Sequence, residues 1–129
     1  MVRRQKGNSS MMHKDLEVYK ASMVLVKMVY ELCKELPKEE IYGLTSQMKR
    51  AILSVPSNIA EGNERKSLKE LNNFLNIALG SLIELETQLE MAWMLQFSND
   101  EVRQNSIGEQ LQKTKRLLIG LIKSVQTKV

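Results

Sequence analysis

The sequence predicts an all-α fold, an antiparallel up-down-up-down four-helix bundle, and three observations predict it. Apolar residues recur at three- and four-residue steps in four separate stretches. Residues that stop or start helices stand between them: Pro37, Gly43, Gly62, Ser67 and Asn99. The connections are short, so consecutive helices should reverse direction.

The first helix should begin near Asp15, a good N-cap, and end before Pro37. Leu16, Tyr19, Met23, Val26, Tyr30 and Cys33 form one apolar stripe, and Val18, Leu25, Val29, Leu32 and Leu36 form a second beside it. Together they cover more of the circumference than a bundle helix usually buries. Lys20, Lys27 and Lys34 occupy what remains, as a solvated face would. The second helix should run from about Thr45 to Glu61, with Gly62 as its stop. Leu44, Met48, Ile52, Val55 and Ile59 make its core stripe. Pro56 sits inside it without an N–H to donate, and its ring presses on the Ile52 carbonyl. A kink or restart should follow, with Ser57 and Asn58 serving the freed backbone groups.

The third helix should start at a capping box, Ser67-Leu68-Lys69-Glu70, and reach about Leu95. That length is ~43 Å at 1.5 Å per residue. Leu71, Leu75, Ala78, Leu82, Leu85, Leu89 and Ala92 keep a heptad-like stripe. Ala78, Gly80 and Ser81 are small, so a neighbouring backbone can approach there. Phe97-Ser98-Asn99-Asp100 should make the turn, with Asn99 as cap. The fourth helix should cover Asp100 to Gln126 with Ile107, Leu111, Thr114, Leu118, Leu121 and Val125 inward, and Leu117, Ile119 and Ile122 widening the stripe.

At 129 residues the chain is long enough for one domain with a real core. The division expected is a flexible basic arm at 1–14 and a bundle at 15–129. Cys33 is the single cysteine, which rules out an internal disulfide and fits a reducing compartment. No apolar run approaches the ~20 residues of a membrane span, and no hydrophobic signal region follows the basic N-terminus. A cytoplasmic protein is expected. Net charge is +4. Arg3, Arg4, Lys6 and Lys14 make the start basic, Glu70, Glu84, Glu86, Glu90, Asp100 and Glu101 make the third quarter acidic, and the last quarter is basic again. Such a layout attracts polyanions or pairs opposite surfaces between subunits.

The residues of an active site are missing from the pattern. His13 is the only histidine. Di-iron bundles need paired Glu-x-x-His motifs, zinc needs several Cys or His ligands, and phosphate loops need clustered glycines. Glu84, Glu86 and Glu90 could hold magnesium, but Glu84 points away from the other two, and a solvated or salt-bridged face accounts for them. No cofactor, no metal and no catalysis are expected. The basic groups are the functional candidates. Lys113, Lys115, Arg116 and Lys123 lie along the last helix, with Lys128 beyond. Arg65, Lys66 and Lys69 surround the start of the third helix, and Lys49 and Arg50 lie in the second. Such groups neutralise phosphates without reading sequence. Phe74, Trp93 and Phe97 fall near apolar positions, so stacking on single-stranded bases has little support.

Asp15-Leu16-Glu17-Val18-Tyr19-Lys20-Ala21 and Pro37-Lys38-Glu39-Glu40-Ile41-Tyr42-Gly43-Leu44 form two recognisable motifs. Gln47-Met48-Lys49-Arg50-Ala51, Ser54-Val55-Pro56-Ser57-Asn58-Ile59-Ala60-Glu61-Gly62 and the run from Phe74 to Leu89 form three more. In these the chain resembles the four-helix-bundle proteins encoded in intervening sequences of bacterial 23S ribosomal RNA genes, over roughly residues 13–95. The resemblance implies a homopentamer that is not an enzyme. Accessory subunits of diversity-generating retroelements are similar; they bind a reverse transcriptase and nucleic acid. That likeness marks Lys49, Arg50, Arg65 and Lys66. It does not carry the retroelement role with it, because fold alone does not fix function. The expectation is a cytoplasmic homo-oligomer that binds RNA or DNA without catalysis. The alternative is a protein-protein adaptor with no direct nucleic-acid contact.

Overall fold

The computed structural model describes residues 12, 13 and 16–129. They form four α-helices, α1 (Glu17–Cys33), α2 (Leu44–Asn63), α3 (Leu68–Met94) and α4 (Glu101–Gln126), with a 3₁₀ turn at Lys38–Glu40. The all-α class is as predicted. Apart from Met12 and His13, the expected arm at 1–14 lies outside the described residues, and so does the expected cap, Asp15. Leu16 precedes α1 without a side-chain cap. The His13 ring packs edge-on against Tyr19 at 5.0 Å.

One continuous core joins all four helices. Of the two α1 stripes, only the second is its spine: Leu25, Val29 and Leu32 are fully buried. The first stripe stays outside. Tyr19, Val26 and Tyr30 are half-buried, Met23 is 45% exposed, and only Cys33 is buried. The stripes of α2 and α3 are buried as expected, with Leu44 half-buried at the margin. In α4 the inward position falls on Ile122, with Leu121 half-buried.

Gly62 is not the stop of α2. It lies within the helix and is buried, and a Cβ there would come within 2.8 Å of Phe74 Cβ and 3.1 Å of Leu71 Cδ1. The missing side chain lets α3 approach, and α2 ends one residue beyond, at Asn63. At the other end Gly43 has no side chain to cap α2, and Glu40 Oε1 accepts the Leu44 N–H at 3.3 Å instead.

The helix passes Pro56 without a break. Ser57 Oγ donates to the Leu53 carbonyl at 2.7 Å and Asn58 Nδ2 to the Ser54 carbonyl at 2.8 Å. Both were expected to serve the groups freed by Pro56, which removes the donor to the Ile52 carbonyl; they bond instead the carbonyls four residues before each of them, at Leu53 and Ser54. Asn58 also reaches Ser54 Oγ, which is hydrogen-bonded to Ser81 Oγ of α3 at 2.8 Å. Ser81 is therefore an α2 contact, and Ala78 is core. Gly80, the third small residue, faces open space.

Ser67 caps α3 by accepting the Glu70 N–H at 3.1 Å. The C-terminus of α3 closes as a Schellman motif: Phe97 N–H donates to Ala92 O and Gln96 N–H to Trp93 O, both at 3.0 Å. Gln96 takes the left-handed position, φ 60°. The cap of α4 is Asp100, one residue past the expected Asn99, and it accepts the Arg103 N–H at 3.1 Å. An ion pair between Glu35 and Arg103 ties the α1–α2 connection to the first turn of α4.

Candidate nucleic-acid interface

The basic candidates divide into groups that are engaged inside the molecule and groups that face water. Lys115 is engaged. Its Nζ lies 3.0 Å from Glu86 Oε1, and Gln112 Nε2 donates to Glu86 Oε2 at 2.7 Å. Both charged side chains are nearly three-quarters buried, so this cluster pins α4 to α3. The expected α4 strip thus loses Lys115. Lys113, Arg116 and Lys123 remain exposed on it. Lys113 and Arg116 are three residues apart, and Arg116 and Lys123 are seven apart, so both pairs share a helix side. Arg116 borders a shallow depression of about 450 Å³ lined also by Asn105, Gly108 and Gln112.

At the α2–α3 corner, Arg65 is half-buried. It pairs with Glu61 at 3.0 Å and covers the Phe74 ring at 4.8 Å. Lys66 and Lys69 are exposed beside it. Lys49 is half-buried, with Nζ 5.0 Å from the centre of the Tyr30 ring. Arg50, its neighbour, is exposed. Successive helical residues point about 100° apart, which separates the two. Lys49 and Arg65 thus hold rings on their own protein, a use that spacing alone did not reveal.

Among the acidic candidates, Glu86 serves Lys115 and Gln112, and Glu84 accepts from Gln88 at 3.1 Å. No group of three or more metal-ligating side chains comes together among the described residues. Cys33 is buried, and loss of hydration pushes its thiol up from the usual range, with Lys49 opposing. That is the direction of an inert thiol. No helix of the described residues is long and apolar enough to cross a membrane.

Ile41 and Tyr42, in the α1–α2 connection, are 51% and 96% exposed. A short sequence motif in a loop gives no sign of such exposure.

No curated protein sequence matches the chain. Among solved structures it is similar to a protein of unknown function from the S23 ribosomal protein family of Bacteroides thetaiotaomicron VPI-5482. Identity is 28% and the TM-score 0.76, and the match covers 88% of this chain and 99% of that one. The family model described as 23S rRNA-intervening sequence protein matches residues 14–120. A match of that extent, on a helical fold shared with such a neighbour, makes this chain a member of the 23S rRNA-intervening sequence protein family.

Proposed function

We propose that this chain is a non-catalytic cytoplasmic protein whose copies assemble, as a homopentamer, and bind RNA or DNA through exposed basic groups. Each copy is an antiparallel up-down-up-down bundle at residues 15–129, preceded by a basic arm. Two contacts support the direction of the helices: Gly62 meets Leu71 and Phe74, whereas Ser54 meets Ser81, so the numbering falls on α2 as it rises on α3. Apolar side chains left outside the core, among them Met23, Leu53, Ile77 and Ile83, support assembly. The number five rests on the family resemblance alone.

The nucleic-acid reading is carried by one observation. Arg50, Lys66, Lys113, Arg116 and Lys123 are all exposed, and none has an ion pair among the described residues. A ring of identical copies would repeat this field around its axis. The test is binding of ribosomal RNA fragments and of duplex DNA at about 50 and 200 mM salt, where phosphate contacts predict a steep loss. Absence of binding at the lower salt overturns the reading.

A second reading, an adaptor or accessory subunit for a protein such as a reverse transcriptase, has its own support. Met94, Leu95 and Val102, in or beside the α3–α4 connection, are 73%, 52% and 77% exposed. The Glu35–Arg103 pair joins that connection to the one carrying Ile41 and Tyr42. An apolar end of this kind fits a protein partner better than a phosphate backbone. Salt-insensitive binding of a protein, without nucleic-acid binding, favours this reading.

A further inference from the structure

Besides the apolar end, two further apolar surfaces are uncovered among the described residues, and they differ in charge. The first is the outward face of α3. Ile77, Gly80, Ile83, Thr87, Met91 and Met94 follow one another at three- and four-residue steps, and all are exposed. Beyond Lys69 this helix carries no basic residue, and Glu84 and Glu90 flank the stripe. A side chain added at Gly80 would meet nothing within 4 Å. Glycine inside a helix weakens it relative to alanine, and nothing among the described residues packs against this position.

The second surface is the groove between α1 and α2. Met23, Val26 and Tyr30 line its α1 side and Leu53, 44% exposed, its α2 side. Lys49 over the Tyr30 ring fixes the two helices side by side there. Lys27 and Arg50, both exposed, flank it.

We propose that the outward face of α3 seats in the α1–α2 groove of a second copy of this chain. The inference rests on the assembly reading above and adds which surfaces meet. A helix ridge with acidic flanks fits a groove with basic flanks. Two α3 faces would instead bring Glu84 and Glu90 against their own copies, which like charge opposes. The gap at Gly80 admits a projecting side chain of the size of Met23 or Leu53. Because the two surfaces are different patches, each copy that offers one still has the other free. Contacts of this kind run head to tail and close into a ring when the rotation allows.

Complementation between two broken copies tests the pairing. Gly80→Trp fills the gap on α3, and Met23→Glu with Leu53→Glu spoils the groove. Helicity by circular dichroism and mass by light scattering are read for each variant, for their equal mixture and for the wild type. Each variant alone should stay helical and have the mass of one chain. The mixture should form complexes of two chains and no larger, because only one good surface of each kind remains. The pairing is overturned if the mixture stays monomeric, or if Gly80→Trp assembles as the wild type does. Should Gly80→Trp lose helicity, Ile83→Glu replaces it with the same expected outcomes. A wild type with the mass of one chain overturns the assembly reading itself, a result distinct from failed complementation.

Discussion

Gln96 is the one non-glycine residue with positive φ, 60°, among the described residues. The left-handed conformation presses Cβ toward the backbone, and glycine escapes this at some cost in unfolded-chain entropy. Gln96→Gly should therefore raise stability by about 0.5 kcal/mol, within a range of a few tenths to 1, seen as a rise of a few degrees in melting temperature. A fall would mean that the Gln96 side chain supports the turn. Gly62 presents the opposite case. Gly62→Ala puts a methyl within 2.8 Å of Phe74 Cβ, so α2 and α3 must shift to admit it. It should cost about 1–3 kcal/mol, measurable by urea unfolding. A glycine at the end of an apolar helical run reads in sequence as a stop, because its role in admitting α3 depends on residues that arrive from elsewhere in the chain. The burial of Cys33 was legible, since it falls in an apolar stripe of α1. With its thiol pushed up by burial, native protein near neutral pH should react slowly with a thiol reagent and rapidly once unfolded. Equal rates in the two states would show the thiol to be accessible.

At the scale of the element, periodicity placed all four helices, and the ends were less secure. Apolar spacing reports a face over many residues, whereas a cap is one side chain and a hydrogen bond. At α4 the expected cap was Asn99, and the neighbouring Asp100 takes that place in the structure. Asp100→Ala should thus cost about 1 kcal/mol and Asn99→Ala little; the reverse order in thermal melts would return the cap to Asn99. The α1 stripes carried a different ambiguity. Both have helical spacing, and only packing against α2 and α4 decides that Leu25 and Val29 go inside while Met23 and Tyr30 stay at the edge. Within α2, Asn58 links the proline turn to Ser54, and through it to Ser81 of α3. Ser57 serves only a carbonyl of its own helix from an exposed position, where water can replace it. Asn58→Ala should therefore lose about 1–2 kcal/mol and Ser57→Ala clearly less. Equal losses would indicate that the proline carbonyls dominate and the link to α3 contributes nothing.

Across the whole molecule, charge was legible as a list of positions but not as a surface. Lys115 and Glu86 lie 29 residues apart in sequence, and no local pattern shows that they meet. Their pairing divides the last-helix cations into two classes with opposite expected behaviour. Lys115→Gln leaves a largely buried Glu86 without its cation, so stability should fall while nucleic-acid affinity changes little. Lys113→Gln, Arg116→Gln and Lys123→Gln remove exposed charges, so stability should hold while affinity falls alike for unrelated sequences. The salt dependence supplies the sharper measurement. On duplex DNA each phosphate contact contributes about −0.9 to the slope of log affinity against log salt. A triple variant of Lys113, Arg116 and Lys123 should flatten that slope by up to about three contacts per copy, and Lys115→Gln should leave it as it was. If Lys115→Gln flattens the slope and the triple variant does not, the cation held by Glu86 is the one that meets phosphate. The exposed α4 groups would then be solvent-facing charges and nothing more.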